Sequence, residues 1–187
     1  MKIMFVDKNQ QFRLIPDSAL LLKHRPFFCP DYVENLHAKI AFVVKINRLG
    51  KYIQAKFAPT YYDEIGFAIN FYDKKSLGNQ VQNGLPWERA TCFDGSFALS
   101  EFLAKTDYDP YSLPLTFSKN RGDMFRLHIV PPDTTAQIIS EISTFMTLKI
   151  GDYIAIELDE ITSAPFEIND VLTLSSNEKD LVRVVVK

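Results

Sequence analysis

Apolar residues fall in short runs broken by polar, proline-marked or glycine-marked stretches, a rhythm of strands more than of helices. Lys2–Val6 (KIMFV) is the first strand candidate. A polar loop follows, then PDSALLLKHRPFFCPDY, whose prolines predict a winding surface connection. Ile40–Ile46 (IAFVVKI) is β-branched and nearly continuously apolar, which predicts a buried strand. Gly66–Tyr72 (GFAINFY) is a second core strand. Between them RLGKYI reads as a turn into a short helix, with QAKF and YYDEI around Pro59. Asp73–Asn83 has the polarity of one surface helix, although Gly78 weakens it.

Further along, SFALSEFL and LPLTFS alternate like strands on either side of the loop AKTDYDPYS. Asn120–Asp123 (NRGD) predicts a hairpin turn into MFRLHIV. Asp133 or Thr134 caps a helix running to Phe145, with Ile138, Ile139, Ile142 and Phe145 on one face. TLKIGDYIAIELDE is a turn followed by a strand, and DVLTLSS and DLVRVVVK form a hairpin through NEKD. Nothing repeats, and no glycine-rich phosphate loop precedes a helix.

With 187 residues and 47% hydrophobic content, the chain is expected to fold as one domain over residues 1–187. The net charge of −2 leaves no basic stripe for nucleic acid or an acidic membrane. MKIMFVDKNQQF lacks the apolar core of a secretion signal, and no apolar run is long enough to span a bilayer. A cytoplasmic location with Cys29 and Cys92 as free thiols is the expectation. His24, His37 and His128 are scattered and make no zinc pattern.

Four blocks, FVVKINRLGKYI, EIGFAINFYDKK, NGLPWERATCFDGSF and TFMTLKIGDYI, stand in an order and register that resembles the fumarylacetoacetate hydrolase family, from about Pro26 to the C-terminus. The resemblance implies a mixed, mainly β (α+β) roll or barrel with short peripheral helices, usually a homodimer. It also implies, for active members, a Mg²⁺- or Mn²⁺-dependent site for hydrolysis, decarboxylation or isomerisation of 2-oxo acids. The family's metal-binding Glu-x-Glu falls on Lys39 and Ala41, its aspartate on Asn70, and its active-site lysine on Thr91. Its Thr-Gly-Thr-Pro turn falls on Ile156–Asp159. Residues 1–25 form a shortened segment without the His-x-x-Glu of the family's catalytic lid.

An ammonium at position 39, about 4 Å from a divalent ion, would repel it by roughly 8 kcal/mol at an effective dielectric near 20. The inherited metal is therefore expected to be lost, leaving no cofactor. Lys39 reads as a solvent-pointing strand-end lysine, as a group attracting an anionic ligand, or as an amine with a depressed pKa suited to Schiff-base chemistry. Asn70, Lys74 and Glu157 are further ligand-binding candidates; Asp73, Lys74 and Lys75 also suit a solvated helix start. Glu157 and Asp159, two apart on a strand, share a face and suit either acid–base work or an exposed edge. His37 reads as a base or a structural histidine, Trp87 and Phe93 as packing residues, and Cys92 as a small buried apolar group. The expected function is a non-catalytic or diverged family member that binds a small organic acid or a partner, with pairing to a catalytic paralogue as one route. The alternative is a hydrolase, decarboxylase or isomerase of acylpyruvate-type 2-oxo acids using rearranged residues.

Overall fold

In the computed structural model, residues 1–21, 25–106, 114–120, 122, 124–129, 132–161, 164–177 and 179–187 are described. His24, much of the AKTDYDPYS loop and parts of the NRGD and NEKD turns lie outside them. The strands are β1 (Ile3–Val6), β2 (Phe12–Ile15), β3 (Leu20–Leu21), β4 (Leu36–Ile46), β5 (Tyr62–Asp73) and β6 (Phe97–Leu99). They continue as β7 (Leu103–Ala104), β8 (Leu115–Lys119), β9 (Met124–Leu127), β10 (Tyr153–Ile161), β11 (Val171–Ser176) and β12 (Lys179–Val185). Among the described residues the α-helices are α1 (Lys74–Gln82), α2 (Glu88–Thr91) and α3 (Pro132–Phe145). Among the described residues no helix is long and apolar enough to cross a membrane.

One sheet runs β2-β1-β10-β4-β5-β6-β3, with β7 also on β5; a second runs β12-β11-β8-β9. The mainly β architecture expected from the sequence is therefore present. β4 and β5 pair antiparallel along their length, from Leu36 opposite Asp73 to Ile46 opposite Tyr62. Alternate residues point to opposite faces. Ala38, Ile40, Phe42 and Val44 join Phe67, Ile69, Phe71 and side chains of the second sheet in the main core. Ala41, Val43, Ala68 and Ala155 join Ile3, Phe5, Ile15 and Phe97 in a smaller cluster on the other face. The alanines keep that second face shallow, and the polar site rises from it.

Several local expectations change. The polar loop after β1 contains β2, held antiparallel to β1 with Phe5 opposite Arg13. A four-residue strand whose side chains range from exposed Leu14 to buried Ile15 has too little periodicity of its own; its partner β1 defines it. Around Pro59 a 3-10 helix covers Ala55–Tyr61, but YDEI belongs to β5, because Ile65 is buried and the ladder to β4 begins at Tyr62. SFALSEFL divides into β6 and β7. Of the expected face of α3, Ile138, Ile139 and Ile142 are buried, whereas Phe145 is exposed and sets its ring edge on Phe12.

The GLPW…FDG stretch is a structural corner. Gly84 (φ 63°) takes the left-handed conformation that follows the end of α1, and Gly95 (φ 72°) takes it again in the turn before β6. Phe93 is buried against Phe27, which stacks on Phe71 at 4.2 Å. Trp87 is only half-buried, so the packing reading holds for Phe93 more than for Trp87.

Candidate active site

The register of β10, β4 and β5 gathers the site. Lys39 lies opposite Asn70 on β5, and Ala41 opposite Ala68. On its other side β4 meets Glu157 opposite Ala41 and Glu160 opposite Lys39. A bulge between Glu157 and Asp159 inserts one residue and changes the phase of the strand. It puts Glu157 and Glu160, not Glu157 and Asp159, beside the positions of Ala41 and Lys39. Asp159 instead pairs with Lys8 at a more exposed site, which corrects the shared face expected from spacing alone. Ile156–Asp159 is thus bulged strand within β10, not the turn implied by the family pattern.

Lys39 is not a solvent-pointing lysine. Its side chain is 11% exposed, and Nζ donates to Glu157 Oε2 at 2.8 Å, itself 3% exposed. The ammonium also lies 5.9 Å from the centre of the Tyr72 ring. Tyr72 donates its hydroxyl to Glu160. Burial and that hydrogen bond push the phenol well above its ordinary range, so it stays protonated.

Arg13 was missed by the sequence reading. β2 carries it over Phe5, 4.2 Å from guanidinium carbon to ring centre, and one Nη donates to Asn70 Oδ1 at 3.2 Å. Asn70 is fully buried and donates its own amide to the carbonyls of Phe71 and Ser96. Burial lowers the Arg13 pKa, opposed by Cys92, Glu157, Asp7 and Tyr72, yet a guanidinium remains charged at any working pH. Its Nε is buried without a hydrogen-bond partner. In sequence Arg13 shows only as a cation among the apolar residues of FRLI.

Arg13 opens onto a cleft of about 480 Å³, whose lining includes Thr91 and Cys92 on one side and Phe145 and Met146 on the other. Thr91 is buried, with its hydroxyl on the Trp87 carbonyl at 3.0 Å and near Cys92 Sγ at 3.3 Å. Cys92 Sγ reaches the Leu14 carbonyl at 3.5 Å, tying α2 to the edge of β2. Burial raises the thiol pKa, against the opposing pull of Thr91 and Arg13. Lys39, Ala41, Asn70 and Glu157 are therefore brought together, and Thr91 lies on the adjoining cleft. Lys74 is exposed at the start of α1, where Asp73 caps the helix through the N–H groups of Lys75 and Ser76. His37 is structural: its ring bonds the Ile161 carbonyl at 3.1 Å.

These donors do not fit Mg²⁺ or Mn²⁺. Such ions need carboxylate or other oxygen ligands. Position 39 brings an ammonium already bonded to Glu157, position 41 brings no donor, and the oxygen of Asn70 is engaged by Arg13. Among the described residues no group of three His, Cys, Asp or Glu side chains is placed to hold a metal.

Oxaloacetate tautomerase YcgM of Escherichia coli is 25% identical over 181 residues, 91% of this chain and 79% of its own. Mitochondrial oxaloacetate tautomerase FAHD1 of Rattus norvegicus is 27% identical over 147 residues, 75% of this chain. The match spans 65% of that relative, just under two thirds of its length. No family model matches the chain. A crystal structure of a fumarylacetoacetate hydrolase family protein from Yersinia pestis superposes with a TM-score of 0.87 at 22% identity, covering all of this chain and 92% of that one. The chain has the fumarylacetoacetate hydrolase fold. The resemblance carried by the four sequence blocks is upheld. The non-catalytic reading is not: relatives aligned along most of the chain bear the names of enzymes, which corrects that expectation in favour of its enzymatic alternative. Replacement of the family's metal ligands does not by itself strip the site of charged groups, because Arg13 and the Lys39–Glu157 pair stand beside Asn70.

Proposed function

We propose that the protein is an enzyme that isomerises a small 2-oxo acid between keto and enol forms, with buried side chains doing what a divalent ion does elsewhere in the family. The observation that carries this is Arg13: a largely buried cation among the lining residues of a cleft, bonded to the neutral Asn70 and with an orphaned Nε. A buried donor without a partner costs about 1–3 kcal/mol, which an incoming carboxylate would offset. Carboxylate is also the group that a guanidinium fork matches best.

Enolisation requires a base for the C3 proton and positive charge near the developing enolate oxygen. Glu157 supplies the carboxylate and Lys39 the ammonium, held together at 2.8 Å; neither lines the cleft itself, and Lys39 lies across the ladder from Asn70, the partner of Arg13, so the reacting carbons reach the pair past Arg13. In the forward direction the C3–H bond breaks towards Glu157, and the C2 oxygen gains a proton from Lys39. Proton return through the ion pair restores both groups. Asn70 positions Arg13 and Tyr72 positions Glu160, so both act through other residues. The named activity of the E. coli and rat relatives, oxaloacetate tautomerisation, supports this class of reaction.

The test is the decay of enol absorbance for a panel of enolisable 2-oxo acids with the protein in EDTA. Acceleration over buffer is expected. Arg13→Lys, which keeps the charge and loses the fork, is expected to raise KM about tenfold with a smaller change in kcat. Absence of acceleration for every acid tested would refute the proposal.

A further inference from the structure

The walls of the cleft in front of Arg13 are chemically lopsided. Among the described residues they carry one cation, Arg13, and one anion, Glu88, while seven of the eleven lining residues are apolar. The seven include Phe12, Leu14, Trp87, Phe145 and Met146. Thr91 is neutral, and Cys92 is a thiol whose pKa burial has raised. A dicarboxylic 2-oxo acid can put one carboxylate on Arg13. Its second carboxylate then meets either an apolar wall, where it loses water without a partner, or the charge of Glu88. An apolar substituent gains from the same walls, and an aromatic one gains further from ring contacts with Trp87 and Phe145.

We infer that this cleft selects 2-oxo acids with a single carboxylate and an apolar, aryl-sized substituent on C3, such as arylpyruvates, over dicarboxylic 2-oxo acids such as oxaloacetate. The inference rests on the reading just proposed and specifies its substrate class. Three features of the structure support it independently of the reaction. The volume of about 480 Å³ lies within the range of small-molecule sites. Phe145, the one residue of its helical face that is not buried in the core, is 53% exposed and lines this cleft. Trp87 is likewise held only half-buried, by a corner whose two glycines have positive φ. The chemistry balances without a co-reactant: the proton leaves C3 of the arylpyruvate and one is returned to the C2 oxygen, so substrate and product are isomers.

Trp87 is the chain's single tryptophan, so its fluorescence reports occupancy of the cleft. The experiment titrates the wild-type protein in EDTA with 3-phenylpropionate and with succinate, following Trp87 emission. It also measures kcat/KM for enolisation of phenylpyruvate and of oxaloacetate. Expected are a saturable change with phenylpropionate at concentrations at least tenfold below those needed with succinate, and a kcat/KM ratio of roughly tenfold or more for phenylpyruvate. Glu88→Lys is expected to narrow that ratio by improving oxaloacetate, and Trp87→Ala to raise KM for phenylpyruvate more than for oxaloacetate. Equal or better use of oxaloacetate by the wild type would overturn the inference and leave the proposed reaction standing. Selective binding of phenylpropionate with no turnover of either acid would uphold the ligand class and overturn the reaction. No response to either probe and no turnover would overturn both. The wild-type measurements decide by themselves if a variant fails to fold.

Discussion

Replacing Lys39 with methionine keeps a long apolar stem on β4 but removes the ammonium that bonds Glu157 at 2.8 Å. The Glu157 side chain is 3% exposed, so water cannot take over the role of the lost donor. Removing one partner of a buried ion pair costs about 3–5 kcal/mol, because the other charge stays buried and unmatched. For a domain of this size each kcal/mol moves Tm by about 2–4 °C, so Lys39→Met should melt about 6–20 °C below wild type. The assay is urea unfolding followed by circular dichroism, with thermal melting alongside. Lys39→Met/Glu157→Met removes both charges and should recover more than half of the loss, since a buried pair exchanged for apolar side chains is often neutral or better. A single variant within about 0.5 kcal/mol of wild type would refute the reasoning. An exposed strand-end lysine would give that small effect.

Two further outcomes follow from other parts of the molecule. Asp170 accepts from the N–H of Glu167 and from Asn120 and pairs with Lys119; burial alone would raise its pKa, but these partners together lower it. A depressed folded-state pKa stabilises the fold above the unfolded-state value and is lost as pH falls through the folded one. Wild type should therefore lose stability below about pH 4, while Asp170→Asn should be weaker at pH 7 and show less of that acid dependence in melts from pH 7 to pH 2.5. Lys39→Glu/Ala41→Glu/Asn70→Asp should acquire Mg²⁺ or Mn²⁺ affinity, read by calorimetry, only when Arg13→Ala is added, because the guanidinium on Asn70 otherwise keeps a cation at the site; tight binding by wild type would contradict this.

Long elements were legible because their pattern is self-sufficient. β4 and β5 are apolar on both faces, α3 repeats isoleucines at helical spacing, and the β11–β12 hairpin alternates in both arms. β2 was not legible, since four residues in a polar, proline-bounded segment become a strand only when β1 offers its edge. The same dependence hid Arg13, whose significance lies in meeting Asn70 across 57 positions of sequence. Glu157 was singled out but assigned the wrong companion. The bulge in β10 leaves no mark in the residue pattern, yet it decides that Glu160 rather than Asp159 faces Lys39. Ala41, read as a lost metal ligand, has a positive role that sequence alone did not show. With Ala68 and Ala155 it packs in the cluster on the sheet face that also carries Lys39 and Asn70.

Exchange of the C3 hydrogens of a 2-oxo acid for deuterium, followed by NMR in D₂O with EDTA present, reads proton abstraction itself. With phenylpyruvate and oxaloacetate as substrates, wild type should catalyse exchange of at least one of them, and Glu157→Gln should slow it about 100-fold or more. Exchange at the buffer rate for both acids, exchange that requires added Mg²⁺ or Mn²⁺, or exchange untouched by Glu157→Gln would contradict a metal-free enolisation site built on Arg13, Lys39 and Glu157.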